Sequence, residues 1–233
     1  TLTEADCRYI EAPALRQGLK SSGLPSNLPR AIVLAPDQYL GFAHGATFQT
    51  QQHRQLLTLI THGQSDDITG RLLQILITDH KVETGLFCDL FSQPYEVLAK
   101  AVTPTWISSA WKYMRSQNFH LGETTESLAP QREKDDSLMA CFIAAGFKGK
   151  RLAQLNRCRI FLQVTTISDV VDGSGTHLLS GVLDGSFKLV LQSRYRWAVQ
   201  GSPAPMYWKI WGAAVRKALD LERWDSLPPS KRL

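Results

Sequence analysis

The sequence has no long hydrophobic run and few cysteines, and each shortage excludes a class of protein. Its best candidate for an apolar run, residues 72–77, is far shorter than the roughly 18–20 residues of a membrane-spanning helix, so no membrane span is expected. The opening residues 1–6 are polar and acidic, unlike a signal peptide, and lack a starting Met; we expect a mature chain or one cut from a longer protein. The cysteines are too widely spaced for a disulfide framework, which favours reduced thiols and a location in cytoplasm or nucleus. They are Cys7, Cys88, Cys141 and Cys158.

Loops that hold nucleotides and clusters that hold metals are also missing. Neither GxxxxGK[ST] nor GxGxxG occurs, and the turn at residues 173–175 is too short to hold a pyrophosphate, so no nucleotide cofactor is expected. The histidines have no metal-ligand spacing with one another or with cysteine, and no metal is expected. They are His44, His53, His62, His80, His120 and His177.

No complete catalytic centre is recognisable. A GxSxG elbow is absent, and no Cys–His signature is present. The acidic pairs at residues 66–67 and 135–136 could hold divalent ions in a polymerase, but both lie at expected helix starts, where acids complement the helix dipole. We therefore interpret them as capping residues. For a hydrolytic enzyme, the first place to look is Asp169, Asp172 and His177.

What the sequence does contain is helical periodicity, which predicts a mainly α fold. The expected helices span residues 3–19, 51–62, 69–80, 135–145 and 150–162, with two more opened by Thr103-Pro104 and Ser202-Pro203. Their expected inner faces are His53, Leu56, Leu57 and Ile60; Leu72, Leu73, Leu76 and Ile77; Ile107, Trp111 and Met114; Leu152, Leu155, Cys158 and Leu162; and Trp208, Trp211, Val215 and Leu219.

Extended structure is expected at a few places only. Residues 164–171 are rich in β-branched side chains and favour a strand. Residues 181–191 favour one small β-hairpin, with Asp184-Gly185 as its turn. The polar stretch from residue 122 to 133 predicts a boundary between two helical subdomains, 1–125 and 126–233.

Charge is distributed unevenly along the chain. The whole sequence has a net charge of +5, whereas residues 148–217 hold 11 basic and three acidic side chains and therefore carry +8. Such an asymmetry indicates either an anionic partner or a solvated basic face. Lys and Arg neutralise phosphates, and an exposed aromatic ring can stack on a base, so nucleic acid is the partner we expect. The candidate nucleic-acid-binding residues are Lys148, Lys150, Arg151, Arg157, Arg159, Arg194, Arg196, Lys209, Arg216 and Lys217.

Two groups among these have a structural alternative. The spacing of Trp208 and Trp211 is typical of core residues rather than of base-stacking ones. Arg157 and Arg159 could equally pin carboxylates or helix C-termini inside the fold.

The segment 155–164, with the sequence LNRCRIFLQV, and Ser168-Asp169-Val170 after it resemble a region of retroelement polyproteins from algae, oomycetes and fungi. Further matches occur in order at residues 2–7, 28–31, 103–107 and 131–135, and in the pattern Arg196-Trp197…Pro203…Trp208…Trp211. The resemblance is to the thumb and connection region that follows the reverse transcriptase core. The Tyr-x-Asp-Asp turn of that core is absent, and residues 62–67 do not supply it.

This resemblance implies a non-catalytic segment of an RNA-directed DNA polymerase. Its partners would be an RNA–DNA hybrid or another template–primer duplex, and the remainder of the polyprotein. Residues 1–125 would form a thumb-like subdomain along the minor groove, and residues 126–233 a basic connector. Two alternatives stay open: a protein-interaction scaffold with exposed aromatic side chains, and an unrecognised hydrolytic enzyme.

Overall fold

A computed structural model describes residues 1–43, 45–86, 88–121, 132, 135–187, 201–221 and 226–231. The fold is mainly α, as the periodicity predicts. The helices are α1 Glu4–Ser21, α2 Arg30–Leu34, α3 Thr47–His62, α4 Ile68–Thr84, α5 Tyr95–Leu98, α6 Trp106–Ser116, α7 Leu138–Ala144, α8 Gly149–Leu162 and α9 Pro205–Ala218. Short 3-10 helices span Asp37–Tyr39, Ile167–Asp169 and Pro229–Lys231. None of the described helices is both long and apolar enough to cross a membrane.

The chain divides into two units, Thr1–Ser65 and Asp66–Leu233. The boundary that the sequence predicts near residue 125 lies outside the described residues and stays a prediction. Within the second unit, the side-chain amide of Asn156 in α8 donates a hydrogen bond of 2.8 Å to the carbonyl oxygen of Glu83 in α4. This hydrogen bond joins two helices that are more than 70 residues apart in sequence.

The first unit is built on α1 and α3. The Thr3 hydroxyl accepts from the backbone N–H of Asp6, and the Asp6 carboxylate accepts from the backbone N–H of Thr3, which together form a capping box. Glu11 of α1 is 5% exposed, and its carboxylate accepts from Arg30 and from the backbone N–H of Thr47. One buried carboxylate therefore fixes the starts of both α2 and α3 against α1.

The core of the second unit contains α7, α8 and α9. All four residues predicted for the inner face of α8 are fully buried, and so are Trp211, Val215 and Leu219. The Trp211 ring meets Phe142 of α7 edge-on, with 5.4 Å between centroids, and its Nε1 donates to the carbonyl oxygen of Val182 at 2.9 Å. Burying the indole therefore leaves no unpaired N–H. The inner face predicted for α6, with Ile107, Trp111 and Met114, is also fully buried.

The inner faces predicted for α3 and α4 are partly wrong. In α3, Leu57 and Ile60 are 62% and 53% exposed, and Leu59 is the buried apolar residue. In α4, Leu73 and Ile77 are buried as expected, whereas Leu72 is 56% exposed. Each helix has apolar residues on more than one side, so periodicity alone cannot select the side that packs.

The predicted extended segments differ most from the structure. Between residues 164 and 171, Thr166 and Asp169 form a capping box and the chain turns into a 3-10 helix instead of a strand. Residues 181–185 form a turn, with backbone N–H groups of Gly185 and Phe187 both bonded to the carbonyl oxygen of Gly181, and the second half of the expected hairpin lies outside the described residues. Local side-chain bonds here outweigh β-propensity.

Candidate functional site

The ten predicted nucleic-acid-binding cations fall into three groups. Arg194 and Arg196 lie outside the described residues. Arg159 is buried. The other seven are exposed on the second unit: Lys148, Lys150, Arg151, Arg157, Lys209, Arg216 and Lys217.

Arg159 is a structural residue, which corrects its assignment to the phosphate-binding set. Its side chain is 0% exposed, and its Nη2 donates to the carbonyl oxygens of Val82 and Glu83 at 2.8 and 2.7 Å. Nη1 donates to the carbonyl oxygen of Val164 at 3.3 Å. The guanidinium thus caps the C-terminus of α4, where backbone carbonyls lack helical partners and a positive charge is favourable. This is the alternative that the sequence left open for arginine.

Burial lowers the pKa of Arg159, but the guanidinium keeps its charge. Loss of solvent lowers the pKa of Arg159 to about 9, while the charges of Asp169 and Glu83 act in the opposite direction. A pKa of about 9 keeps the guanidinium protonated at neutral pH, so its hydrogen bonds to the α4 carbonyls stay charge-assisted.

Two of the exposed cations, Lys150 and Arg157, line one cleft of about 410 Å³. Lys150, Ala153, Gln154 and Arg157 follow one another at helical spacing on one face of α8. This face lines what we call the α8 cleft. The other lining residues are Glu83, residues 100–104, Asn156, Ile160 and Tyr207.

Hydrogen bonds hold the walls of the α8 cleft in place. The Asn156 side-chain amide bridges the carbonyl oxygens of Glu83 and Ala101, at 2.8 and 3.4 Å. The Glu83 carboxylate accepts from the backbone N–H of Thr103 at 2.8 Å, and its other oxygen lies 3.1 Å from Nδ1 of His80. Consequently α4, the loop at residues 100–104 and α8 are tied together around the cleft.

The electrostatics of the α8 cleft favour an anion. Its lining includes three exposed cations, Lys100, Lys150 and Arg157, and one carboxylate, Glu83. Burial acts to raise the pKa of Glu83, but hydrogen bonds from His80 and Thr103 outweigh it, so the pKa is lowered. The carboxylate is directed into these bonds, whereas none of the three cations has an ion-pair partner in the described part of the chain.

Sequence reasoning missed Lys100 and Tyr207. Lys100 lies about 50 residues before the basic cluster of α8, and no local pattern links the two. Tyr207 is half-buried and is the aromatic side chain in the cleft lining. A partial signal was available for Tyr207, since it lies one helical turn before Trp211, beside the buried face of α9.

The tryptophans of α9 serve the core, as their spacing predicted. Trp208 is half-buried and packs against Phe161 with 5.6 Å between ring centroids. Its ring also occupies the space beside Gly185, where a Cβ atom would lie 2.5 Å from the indole. Trp211 therefore has no exposed face for a base, and Trp208 is engaged with Phe161 and with the backbone at Gly185.

The exposed cations of α9 do not line the α8 cleft. Lys209, Arg216 and Lys217 are exposed on α9, away from its buried face, as the helical spacing predicted. Lys217 lies over the Phe147 ring at 5.3 Å from its centroid, a cation–π contact.

The hydrolytic alternative gains little from the geometry. Nδ1 of His177 lies 3.7 Å from the Asp172 carboxylate and 2.8 Å from the Thr176 hydroxyl. Ser174 donates directly to Asp172 at 2.7 Å, so no histidine stands between a hydroxyl and the acid as a catalytic triad requires. Asp169 accepts from the backbone N–H groups of Thr165 and Thr166, at 2.7 and 2.9 Å, which is a structural role.

Asp66 forms an ion pair with Arg71, with 3.0 Å between Oδ1 and Nε, and the other three residues of the acidic pairs accept hydrogen bonds from the backbone. Asp67 is the N-cap of α4, and its side chain accepts from the N–H of Gly70 at 2.6 Å, as expected for a capping residue. Asp135 and Asp136 accept from the backbone N–H groups of Ser168 and Ser137, while Ser137 itself caps α7. Within the described residues, no group of three or more His, Cys, Asp or Glu side chains could hold a metal ion.

None of the four cysteines, all of which lie in the described part of the chain, forms a disulfide. Cys7, Cys141 and Cys158 are buried, and Cys88 is exposed. Burial raises the pKa of Cys158 to about 12, with a small opposing effect from Arg157, so this thiol is unreactive at neutral pH.

Comparisons with known proteins assign the chain to no family: no family model, no curated protein and no solved structure matches it.

Proposed function

We propose that this chain binds nucleic acid through phosphate contacts made by the exposed cations of α8 and its neighbours. The observation that carries the proposal is the α8 cleft, in which Lys100, Lys150 and Arg157 converge from two elements with no ion-pair partner among the described residues. A cleft that is lined by several cations has a concentrated positive potential, and this potential attracts an anionic ligand.

The ligand we propose is a template–primer duplex such as an RNA–DNA hybrid. The choice of ligand follows from the resemblance of residues 155–164 to retroelement polyproteins. The chain would position the duplex, and the catalytic carboxylates would belong to a polymerase core. Phosphate contacts suit this task because they fix the register of a duplex without reading its bases.

The test is fluorescence anisotropy with a labelled RNA–DNA hybrid across a salt series. Each phosphate contact contributes a slope of roughly −0.9 to the plot of log affinity against log salt for a B-form duplex, so three contacts predict a slope of about −3. The double variant Lys150→Glu and Arg157→Glu should flatten this slope by about 2 units, since two contacts are lost.

A matched control separates the site from general charge effects. Arg16→Glu with Lys112→Glu makes the same change in net charge at two exposed positions outside the cleft. We expect this control to retain the wild-type slope. If the control and the cleft variant lose affinity equally, binding is a property of net charge and the proposed site is wrong.

One observation favours the scaffold alternative as a second candidate. Ile68, Leu72 and Ile75 follow one another along one side of α4 and are 79%, 56% and 63% exposed. An apolar stripe of this kind is typical of a protein-interaction surface. It predicts an association that persists in 0.5 M salt and disappears in the triple serine variant, which sedimentation velocity over a concentration series would detect.

A further inference from the structure

The shape and lining of the α8 cleft specify more than a phosphate. The cleft is open to solvent and has a volume of about 410 Å³, which is more than one phosphate group fills and is in the size range of sites that hold small organic ligands. Its lining also includes a neutral amide, Gln154, and an aromatic ring, Tyr207, which a duplex backbone would leave unused.

Tyr207 and Gln154 can contact the face and the edge of a nucleobase, respectively. An aromatic ring offers a face on which any base can stack, and stacking needs no particular sequence. A glutamine amide offers both donors and an acceptor to the edge of a base. Gln154 is half-buried, and no described residue forms a hydrogen bond with its side chain, so the amide is available.

The cations are placed for the phosphate of the same nucleotide. Lys150 and Arg157 flank Gln154 on the same face of α8, one turn to either side, and Lys100 enters the lining from the loop. A nucleotide with its base at Tyr207 and Gln154 would thus have two or three positive charges beside its phosphate. The bonds from Asn156 to the carbonyls of Glu83 and Ala101 hold these walls before a ligand arrives, which lowers the cost of ordering the site.

We infer that the α8 cleft holds a single unpaired nucleotide of a bound strand, with its base on Tyr207 and its phosphate between Lys150 and Arg157. This inference rests on the proposed nucleic-acid function and specifies the ligand of the same site. A base inside a duplex is stacked on both faces and paired along one edge, and taking it out costs the free energy of unstacking and unpairing; an unpaired nucleotide at an overhanging end or in a displaced strand enters the cleft without that cost.

The experiment compares two labelled RNA–DNA hybrids of the same duplex length, one blunt and one with a one-nucleotide overhang, by anisotropy at fixed salt. The wild-type chain should bind the overhang hybrid at least about fivefold more tightly, the gain of one stacked base. Tyr207→Ala should bind both hybrids with the affinity that wild type has for the blunt one. Tyr207→Phe keeps the ring and should keep the preference, and Tyr9→Ala, at a tyrosine that is 83% exposed on α1, should change nothing.

The outcomes separate this inference from the proposal on which it rests. Equal binding of the two hybrids by wild type overturns the inference and leaves phosphate-based duplex binding in place. Absence of binding to either hybrid at low salt overturns the proposed function. Saturation-transfer NMR with adenosine monophosphate then tests the pocket directly: a signal that Tyr207→Ala abolishes supports a nucleotide site without a nucleic-acid role, and no signal in wild type overturns that site as well. Thermal unfolding of Tyr207→Ala, together with the Phe variant, shows whether a lost preference comes from the ring or from misfolding.

Discussion

Replacing Arg157 and Arg159 by methionine, one at a time, should give opposite results although the two residues lie on the same turn of α8. Arg159→Met removes a fully buried guanidinium that bonds to the carbonyl oxygens of Val82, Glu83 and Val164. Methionine fills much of the volume but has no donor for these carbonyls. Arg157→Met removes an exposed side chain from the cleft rim and leaves the interior unchanged.

The magnitudes follow from burial. A hydrogen bond from a charged donor contributes about 1.5–3 kcal/mol, and removing one partner of a buried charged network costs about 3–5 kcal/mol in total. The carbonyl oxygens of Val82 and Glu83 keep one other donor each, from Gly85 and Asn156, so the loss should lie near 3 kcal/mol. For a chain of this length, that corresponds to a melting temperature lowered by roughly 6–12 °C. Arg157→Met should stay within about 0.5 kcal/mol of wild type.

Two measurements on the same samples check both halves of the prediction. Urea unfolding followed by circular dichroism gives the free energy of unfolding, and anisotropy at 15 °C gives hybrid affinity. Arg159→Met should be destabilised and should bind like wild type at that temperature, whereas Arg157→Met should be as stable as wild type and bind more weakly. If Arg159→Met keeps full stability but loses binding, the guanidinium contacts ligand rather than α4, and the structural assignment is wrong.

Three further predictions concern single residues. Gly85→Ala should destabilise the chain by about 2 kcal/mol, because Gly85 has a φ of +66° and a Cβ there would lie 2.7 Å from the Arg159 guanidinium carbon; Gly18→Ala in α1, which meets no atom within 4 Å, should be neutral or stabilising in the same urea titration. Hydrogen bonds from Ser174 and from backbone N–H groups, together with the charge of His177, lower the pKa of Asp172 to about 2. Its carboxyl carbon should therefore titrate by NMR well below the ordinary 3.8. The loop should lose the stabilisation from this carboxylate only as the pH falls from about 4 toward 2. Cys158, with its pKa near 12, should resist iodoacetamide at pH 8 until urea unfolds the chain; modification at the rate of a free thiol would contradict its burial.

Helix positions could be predicted from the sequence where local chemistry decides them. Thr3 and Asp6 place the start of α1 through a capping box, and the apolar repeat of α8 selects its buried face. Extended structure could not be predicted in the same way. The β-branched run around Thr166 favours a strand on propensity, but its hydroxyl and the Asp169 carboxylate bond to the backbone and turn the chain into a 3-10 helix.

The position of each arginine on α8 was also available from periodicity. Arg159 lies seven residues after Leu152 and four after Leu155, so it falls on the buried stripe of the helix. Arg157 falls two residues earlier, on the opposite side. A count of positive charges treats the two alike, whereas the helical repeat separates a structural cation from an exposed one.

The groups that Arg159 contacts, in contrast, could not be predicted from the sequence of α8. The carbonyls that Arg159 contacts in α4 are 76 and 77 residues away in sequence, and they are backbone atoms that any residue type could supply. The contacts that bring Lys100 to the cleft are also distant in sequence, since the loop at residues 100–104 is bonded to Asn156 of α8 and to Glu83 of α4. Residue identity identifies candidates for a site, and long-range backbone contacts decide which of them meet.

The two faces of α8 explain why the net charge of the basic segment is larger than the charge on its surface. One face buries Arg159, whose guanidinium bonds to the carbonyl oxygens of Val82 and Glu83 and holds α8 against the C-terminus of α4. The opposite face presents Lys150 and Arg157 to the cleft. The buried cation stabilises the fold, and only the exposed cations are available to a ligand. The net charge of +8 over residues 148–217 therefore overstates the charge that a ligand meets, since it includes Arg159.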